Sequence, residues 1–107
     1  MFKGISIVHR LPGTSKEEFA SFWTGTFAPL AARLPRLRKY VVNVVTDGPD
    51  TFPDGFAEIW FDSKEDFDAA FADSELNRAM HAAHGKFLSD YEMYLVDEYD
   101  VPIQAAP

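Results

Sequence analysis

The chain lacks cysteine and long apolar runs, and each absence excludes a class of protein. Without Cys there is neither a disulfide framework, which small secreted domains often need, nor a thiolate nucleophile. No apolar run approaches the roughly 20 residues that a membrane-spanning helix requires. Residues 1–9 are too short and too interrupted for a signal peptide. We therefore expect a soluble, cytoplasmic protein without a membrane partner.

Basic residues are also scarce, with 10 Lys and Arg against 17 Asp and Glu and a formal net charge of −7. Nucleic-acid binding needs a clustered basic face, so this balance argues against a nucleic-acid partner. One basic cluster flanks the end of a predicted helix, where the negative end of the helix dipole favours cations. It consists of Arg33, Arg36, Arg38 and Lys39. An anion site is the alternative interpretation of the same residues.

Motifs that would carry catalysis or bind a cofactor are missing as well. No Ser lies in a Gly-x-Ser-x-Gly context, and there is no Gly-rich phosphate loop. His81 and His84 lie three residues apart on a predicted helix and could point the same way. With His9 they equal the ligands of a zinc site in number, but no spacing fixes the third ligand. We predict neither a metal nor a cofactor.

Apolar residues, by contrast, are abundant. They make up 47% of the 107 residues, and ten of them are Phe. A chain of this length forms one domain with one core. We place this domain at residues 1–101 and assign residues 102–107 to a C-terminal tail that has no reason to be ordered.

The first predicted helix begins at a capping box formed by Ser15 and Glu18. Apolar residues at helical spacing follow and give one broad stripe. Pro29 cannot sit inside a helix without a kink, so we expect the helix to end near Phe27 and a turn to cover residues 29–33.

The second predicted helix begins in the same way, at Ser63 and Asp66, and covers residues 67–72. Asp73 and Ser74 interrupt it and cap a further helical stretch over residues 75–88. Four strands complete the pattern, at residues 2–10, 37–46, 56–62 and 91–101.

The element order is therefore β-α-β-β-α-β, which predicts a ferredoxin-like α+β fold with a four-stranded antiparallel sheet. Right-handed crossovers place both helices on one face of that sheet. The strands nevertheless have apolar residues on both faces. We assign Val41, Val45, Ile59 and Phe61 to one face, and Tyr40, Val42, Val44, Phe56 and Trp60 to the other. The bare face thus needs a cover, and a second copy of the chain is the simplest one, so we expect a homodimer.

Residues 22–40 contain an aromatic helix that runs into Ala28-Pro29-Leu30, and a strand entered through Leu34-Pro35-Arg36-Leu37. With residues 15–19 and 54–63, this segment resembles the EthD family of the dimeric α+β barrel group, and the resemblance extends over residues 2–99. It implies two sheets packed back to back as a barrel. In the family, a His commonly precedes Ala-Pro-Leu, whereas here the residue is Phe27.

The resemblance also implies an activity. A protein of this type would act without a cofactor on a small aromatic or polyketide-like molecule, by isomerisation, cyclisation, dehydration or decarboxylation. His84 or His81 would be the acid or base, and Trp23, Phe27 and Trp60 would grip the ring. The alternative is a non-catalytic protein that binds a small ligand or acts as an accessory. Phe27 separates the two interpretations, because a Phe cannot transfer a proton.

A second resemblance concerns Trp60 and His81. The run from Ile59 to His81 is similar to the antibiotic-biosynthesis monooxygenases, whose haem-degrading branch places a Trp on the third strand and a proximal His on the following helix. The segment His84-Gly85-Lys86-Phe87 also resembles the methylmuconolactone isomerases. A monooxygenase is therefore a further alternative.

The expected binding site is an apolar cavity between the helices and the sheet. Its predicted wall consists of Phe22, Trp23 and Phe27, with Trp60 joining from the third strand. Its polar candidates are His9, Asn43, Glu58, His81 and His84. We expect at most one of His81 and His84 to face the cavity, because three residues on a helix put them about 60° apart.

Glu58 is the candidate carboxylate of this site. It is two residues from Trp60, so both side chains should point to the same face. Beside a large apolar ring, its pKa would be raised by desolvation, which suits a general acid or base. The alternative is that Glu58 pairs with an Arg or Lys across the sheet or across the dimer.

Overall fold

The computed structural model describes residues 1–72 and 74–105, and its centre is a four-stranded antiparallel sheet. The strands are β1 (Phe2–Arg10), β2 (Lys39–Val44), β3 (Gly55–Phe61) and β4 (Leu88–Val96). Their spatial order is β2-β3-β1-β4, so the two crossovers are of the split β-α-β type. The ferredoxin-like α+β fold predicted from the sequence is confirmed.

The helices pack on one face of the sheet. They are α1 (Lys16–Phe22), a π-helical segment (Trp23–Phe27), α2 (Ala28–Ala31), α3 (Lys64–Phe71) and α4 (Ser74–Phe87). In the described part of the chain, none of them is long and apolar enough to cross a membrane.

Both predicted capping serines begin a helix. The Ser15 hydroxyl accepts a hydrogen bond of 3.0 Å from the Glu18 N–H, and the Ser63 hydroxyl accepts one of 3.2 Å from the Asp66 N–H. Each bond satisfies one N–H that has no partner within its helix. The further cap predicted at Asp73 and Ser74 lies outside the described residues, since neither Asp73 nor the Ser74 side chain is described.

The prediction that the first helix ends near Phe27 is wrong. The helical backbone continues to Ala31 through a π turn, in which the Ala28 N–H donates to the Trp23 carbonyl five residues earlier. Pro29 has no N–H, and in a regular α-helix its ring would clash with the carbonyl of Gly25. The wider π turn accommodates this proline, so the chain does not need to break.

Strand β4 also differs from its prediction, since it begins at Leu88 and ends at Val96 rather than covering residues 91–101. Its partner β1 sets these limits, because the ladder runs from Arg10 opposite Leu88 to Lys3 opposite Val96. β1 itself begins at Phe2, so little of it remains for residues beyond Val96 to pair with. Residues 97–105 have no regular secondary structure.

The assignment of strand residues to faces needs correction. Tyr40 lies opposite Ile59, and Val41 lies opposite Glu58. Ile59 and Phe61 therefore share the helix-covered face with Tyr40, Val42 and Val44, while Val41, Phe56 and Trp60 share the bare face. Alternation within a strand determines which of its own residues share a face. Which residues of the neighbouring strand join them depends on the register between the two strands, which alternation does not give.

The core lies between the helices and the sheet, and its largest enclosed side chain is Trp23, which is 1% exposed. The indole lies directly on the backbone of Gly55, where an added Cβ would overlap the ring. This close approach requires glycine at the start of β3. It fixes the height of the π-helical segment above the sheet.

Candidate functional site

An apolar cavity of about 110 Å³ lies between the sheet and the helices, and it is partly open to solvent. Trp23 and Phe27 line it from the π-helical segment. Ser6 and Ala57, which lie opposite each other on β1 and β3, form part of its floor. Because both floor side chains are small, they leave room that a Leu or Phe would fill. The predicted helix–sheet cavity therefore exists.

His84 is a half-buried polar side chain that lines this cavity between two aromatic rings. Its ring lies 4.2 Å from the Phe27 ring and 5.0 Å from the Tyr91 ring, measured between centroids. Burial, and secondarily the charge of His81, lower the pKa of His84 to about 4. The imidazole is therefore neutral near pH 7. Within residues 1–72 and 74–105, no group hydrogen-bonds to it, so its ring nitrogens can serve a ligand.

His81 also lines the cavity, at its solvent-exposed end. The prediction that at most one of the two histidines would face the cavity is wrong. Asn77, Met80, His81 and His84 all line it, and their spacing is that of one helix face. Such a face is at least about 100° wide, so two residues about 60° apart both fit on it.

Tyr40 is a polar cavity residue that the sequence analysis missed. Burial raises the pKa of its hydroxyl to about 12, so the group stays protonated and can donate a hydrogen bond. Tyr91 and Ser6 were missed as well. The helical spacing of Asn77 and Met80 with His81 was a usable signal, whereas Tyr40 and Tyr91 could be found only through the strand register.

Phe22 does not line this cavity. It stacks on Phe87 with ring centroids 3.9 Å apart and an angle of 14° between the planes. This pair borders a shallow depression with Glu18 and Lys86. Of the predicted aromatic wall, the structure thus places Trp23 and Phe27 at the cavity and Phe22 outside it.

Trp60, Glu58 and Asn43 lie on the other face of the sheet, away from the cavity. The register pairs Trp60 with Lys3 and Asn43 with Phe56, all on the bare face. The prediction that Glu58 and Trp60 share a face is confirmed. The prediction that they join the helix–sheet cavity is wrong, because that face is the one without helices.

Glu58 is held as a charged carboxylate. The Lys3 ammonium lies 2.9 Å from Glu58 Oε2, and Asn43 Nδ2 donates to Oε1 at 3.0 Å. These two bonds, that of Lys3 first, lower the pKa of Glu58. The expected raised pKa is therefore wrong, and the alternative of a pair with a basic residue across the sheet is confirmed.

Lys3 is the centre of this bare-face cluster. Its ammonium also lies 2.8 Å from Glu98 Oε2 and 4.5 Å from the centroid of Trp60, whose indole N–H donates to Glu98 Oε1 at 3.0 Å. The bonds to Glu98 and Glu58 raise the pKa of Lys3. These contacts hold the four side chains against one another on the bare face. Glu58 and Trp60 therefore belong to this cluster and do not line the cavity.

His9 lies on the same bare face, opposite Asp90 on β4. It borders a polar depression in which the Arg10 guanidinium binds Asp54 at 2.5 Å. Among the residues that the structure describes, no three His, Cys, Asp or Glu side chains are grouped so as to hold a metal ion.

The pair suggested by the monooxygenase resemblance is not brought together. Trp60 belongs to the bare face and His81 to the cavity on the helix-covered face. A flat group cannot contact both, because the sheet lies between them. The geometry therefore gives no support to a haem site built from these two residues.

Several solved structures have the same fold as this chain. An EthD-family protein from Bacillus halodurans C-125 is 20% identical, with a TM-score of 0.74, over 92% of this chain and 100% of that one. A dimeric ferredoxin-like protein from Thermobifida fusca YX is 18% identical, with a TM-score of 0.69, over 89% and 88%. SnoaB from Streptomyces nogalater, a cofactor-independent oxygenase, is 20% identical, with a TM-score of 0.59, over 94% and 92%.

At these identities the structures are evidence for the fold alone, and comparison with curated protein sequences finds none that matches. A family model gives a firmer result. The model of the EthD domain matches residues 11–90, which include the π-helical segment, strand β3 and helix α4. The chain therefore belongs to the EthD family.

Proposed function

We propose that this chain binds a small aromatic molecule in the helix–sheet cavity and that His84 transfers a proton on it without a cofactor. The reaction classes that fit are isomerisation, cyclisation, dehydration and decarboxylation. The observation that carries the proposal is His84 itself, a neutral imidazole without a hydrogen-bond partner in the described chain, between Phe27 and Tyr91. A polar group aimed into an apolar cavity is a typical means of orienting a ligand.

The size of the cavity narrows the ligand class. Its volume of about 110 Å³ is less than the roughly 150 Å³ that holds a benzene in an engineered protein cavity. The enclosed part therefore holds a single ring at most, and a substituent would extend past the exposed side chains of His81 and Tyr91.

The pKa of His84 determines what chemistry it can do. With a pKa of about 4, the neutral imidazole accepts a hydrogen bond well near pH 7 but is a weak base. A ligand that develops negative charge beside the ring would favour the imidazolium and raise the pKa of His84. Proton transfer is thus favoured for a substrate whose reaction generates an enolate or a carboxylate at this position.

A second candidate is a protein that binds the ligand without catalysis. The observation in its favour is Phe27, which is 5% exposed and occupies the position where the resemblance to the EthD family implies a His. Together with the low pKa of His84, this aromatic residue makes the cavity more suited to hold a ring than to ionise it.

We also propose that the chain is a homodimer through the bare face of its sheet. In the single chain this face leaves several apolar side chains only partly covered, namely Ile5, Ile7, Val41, Phe56 and Tyr94. A second copy can cover the same face on both protomers by a two-fold arrangement. Solved relatives of this fold are described as dimeric.

Phenol and toluene provide a direct test of the binding proposal, because they have similar shapes and only phenol can donate a hydrogen bond to His84. We expect both to bind in titrations followed by NMR. Replacing His84 with Leu should weaken phenol binding relative to toluene by roughly 2- to 10-fold, the value of one hydrogen bond. His9→Leu, on the other face of the sheet, is the matched control. Absence of any binding by either compound would contradict the proposal.

The two candidate functions differ in one further measurement. If His84 moves protons, the protein should accelerate deuterium exchange from D₂O into the methyl group of acetophenone, and His84→Leu should abolish the acceleration. If the cavity only binds, acetophenone will occupy it and exchange at the rate found in buffer.

A further inference from the structure

The last described residues form an extended arm that leaves the sheet. From Asp97 to Ala105 the chain has no regular secondary structure and every residue is exposed. The large apolar side chains of this arm are the most exposed of all, at 82% for Tyr99, 80% for Val101 and 97% for Ile103. They lie two residues apart, so on an extended chain they point to one side. This one-sided pattern is what a strand presents to a surface that it covers.

The arm is firmly attached at its base. Glu98 accepts hydrogen bonds from the Lys3 ammonium at 2.8 Å and from the Trp60 indole at 3.0 Å. The Lys3 side chain is itself only 9% exposed. Because Lys3 and Trp60 belong to the bare face, the arm begins at the edge of that face.

The arm does not fold back on its own domain. The radius of gyration is 15.3 Å and the longest dimension is 49 Å, whereas a compact chain of this length has a radius of about 13 Å. Nothing within the described chain covers the apolar side of residues 99–103.

We infer that the arm packs on a second copy of this chain, with Tyr99, Val101 and Ile103 facing the partner. The inference rests on the proposed homodimer and extends it, since the arm starts at the face where the partner is placed. In a two-fold dimer each protomer contributes one arm and receives one. The apolar side of each arm, formed by Tyr99, Val101 and Ile103, is then covered by the partner in the same way. Pro102 has no N–H to donate, so the arm cannot be a central strand of the partner's sheet and would lie at its edge.

The experiment compares the full chain with a variant in which Tyr99, Val101 and Ile103 are all replaced by Ser. Sedimentation equilibrium should show a dimer dissociation constant at least about tenfold higher for the variant. The reason is that these side chains, exposed in the single chain, would be buried as anchors in the dimer interface. The circular dichroism spectrum should be unchanged, since the arm lies outside the core. A chain that ends at Ile103 retains all three apolar side chains and is the matched control.

The outcomes separate the two proposals. If the serine variant dimerises as tightly as the full chain, the arm contacts something else, and the inference is overturned while the dimer stands. If the full chain is a monomer at micromolar concentration, the dimer proposal and this inference both fail.

Discussion

At the scale of residues, the cavity depends on pairs of side chains that leave space or enclose it. Trp23 can lie against the sheet because Gly55 has no side chain. The small side chains of Ser6 and Ala57 leave space above the sheet for the cavity. The Phe27 ring packs against His84. None of these contacts follows from one residue alone, since each needs a partner on another element of the fold.

Phe27→Ala tests whether Phe27 lines a cavity or fills a core. Truncating a fully packed Phe costs about 3–5 kcal/mol. Phe19 is 1% exposed and lies in the same core without lining the cavity, so Phe19→Ala should show this full loss. We expect Phe27→Ala to cost clearly less, because one side of the ring already faces open space. Denaturant melts of the two variants measure the difference, and equal losses would remove Phe27 from the proposed site.

His84 predicts a pH dependence of stability. In the unfolded chain it binds a proton near its ordinary pKa of 6.5, whereas in the folded chain it does so only near about 4. Between these values the unfolded state binds more protons, so stability is complete above pH 6.5 and falls as the pH decreases toward 4. Allowing for partial solvent screening, the loss from His84 between pH 7 and pH 5 should be about 1–2 kcal/mol.

The variant His84→Gln lacks this titration and should lose correspondingly less stability over the same range in urea melts. His9→Gln, on the other face of the sheet, is the control and should keep the part of the loss that comes from His84. A wild-type and a His84→Gln protein whose stabilities fall in parallel would show that the imidazole is not buried.

Gly55→Ala tests the close approach of Trp23. The added methyl group overlaps the indole, so the π-helical segment must shift, and overpacking of this kind typically costs about 1–3 kcal/mol. Gly25→Ala is the control, because no atom lies within 4 Å of the added Cβ. A thermal melt of Gly55→Ala that matches that of Gly25→Ala would contradict the described packing.

At the scale of elements, local signals were sufficient where the structure is locally determined. The capping serines Ser15 and Ser63 each begin a helix because their hydroxyls bond to an N–H three residues later. Strand β1 has the predicted bounds. By contrast, the π turn before Pro29 was not predicted, because a proline in a helical pattern is read as a break and the sequence does not reveal that the neighbouring turn can widen.

The π-helical segment contributes two large aromatic side chains to the cavity. Trp23 and Phe27 both line it, at 1% and 5% exposure, and the Phe27 ring lies against His84.

Pro29→Ala restores an N–H that can donate to Gly25 and favour a regular α-helix. A regular α-helix at this position would turn the Phe27 ring away from His84, against which it lies in the structure. We expect phenol affinity to fall several-fold, together with a loss of stability from the displaced Phe27 ring. Pro35→Ala, in the turn before β2, is the control for loss of a proline. Unchanged phenol affinity in Pro29→Ala would show that the π turn does not shape the cavity.

At the scale of the whole molecule, the order of elements gave the sheet topology, and the excess of apolar strand residues pointed to a second covered face. The candidate site was predicted only in part. His81, His84, Trp23 and Phe27 were found because helical spacing places them together. Glu58 and Trp60 were misplaced because alternation along β3 does not determine which of its faces the helices cover.

The two faces of the sheet therefore have different roles. The helix-covered face holds the cavity, and the bare face holds the cluster of Lys3, Glu58, Glu98 and Trp60, from which the arm begins. A partner that covers the bare face would bury Lys3 together with two carboxylates. Such a burial is tolerated only when the charges stay paired, as they already are in the single chain.

His84 should be a neutral, half-buried group in a cavity that accepts a small ring. The most direct test is an NMR titration of the His84 ring nitrogens against pH, repeated with phenol. We expect His84 to titrate near pH 4 in the free protein and phenol to shift its ring resonances in a saturable way near pH 7. A His84 that titrates at its ordinary value of 6.5 and does not respond to phenol would contradict the proposed site.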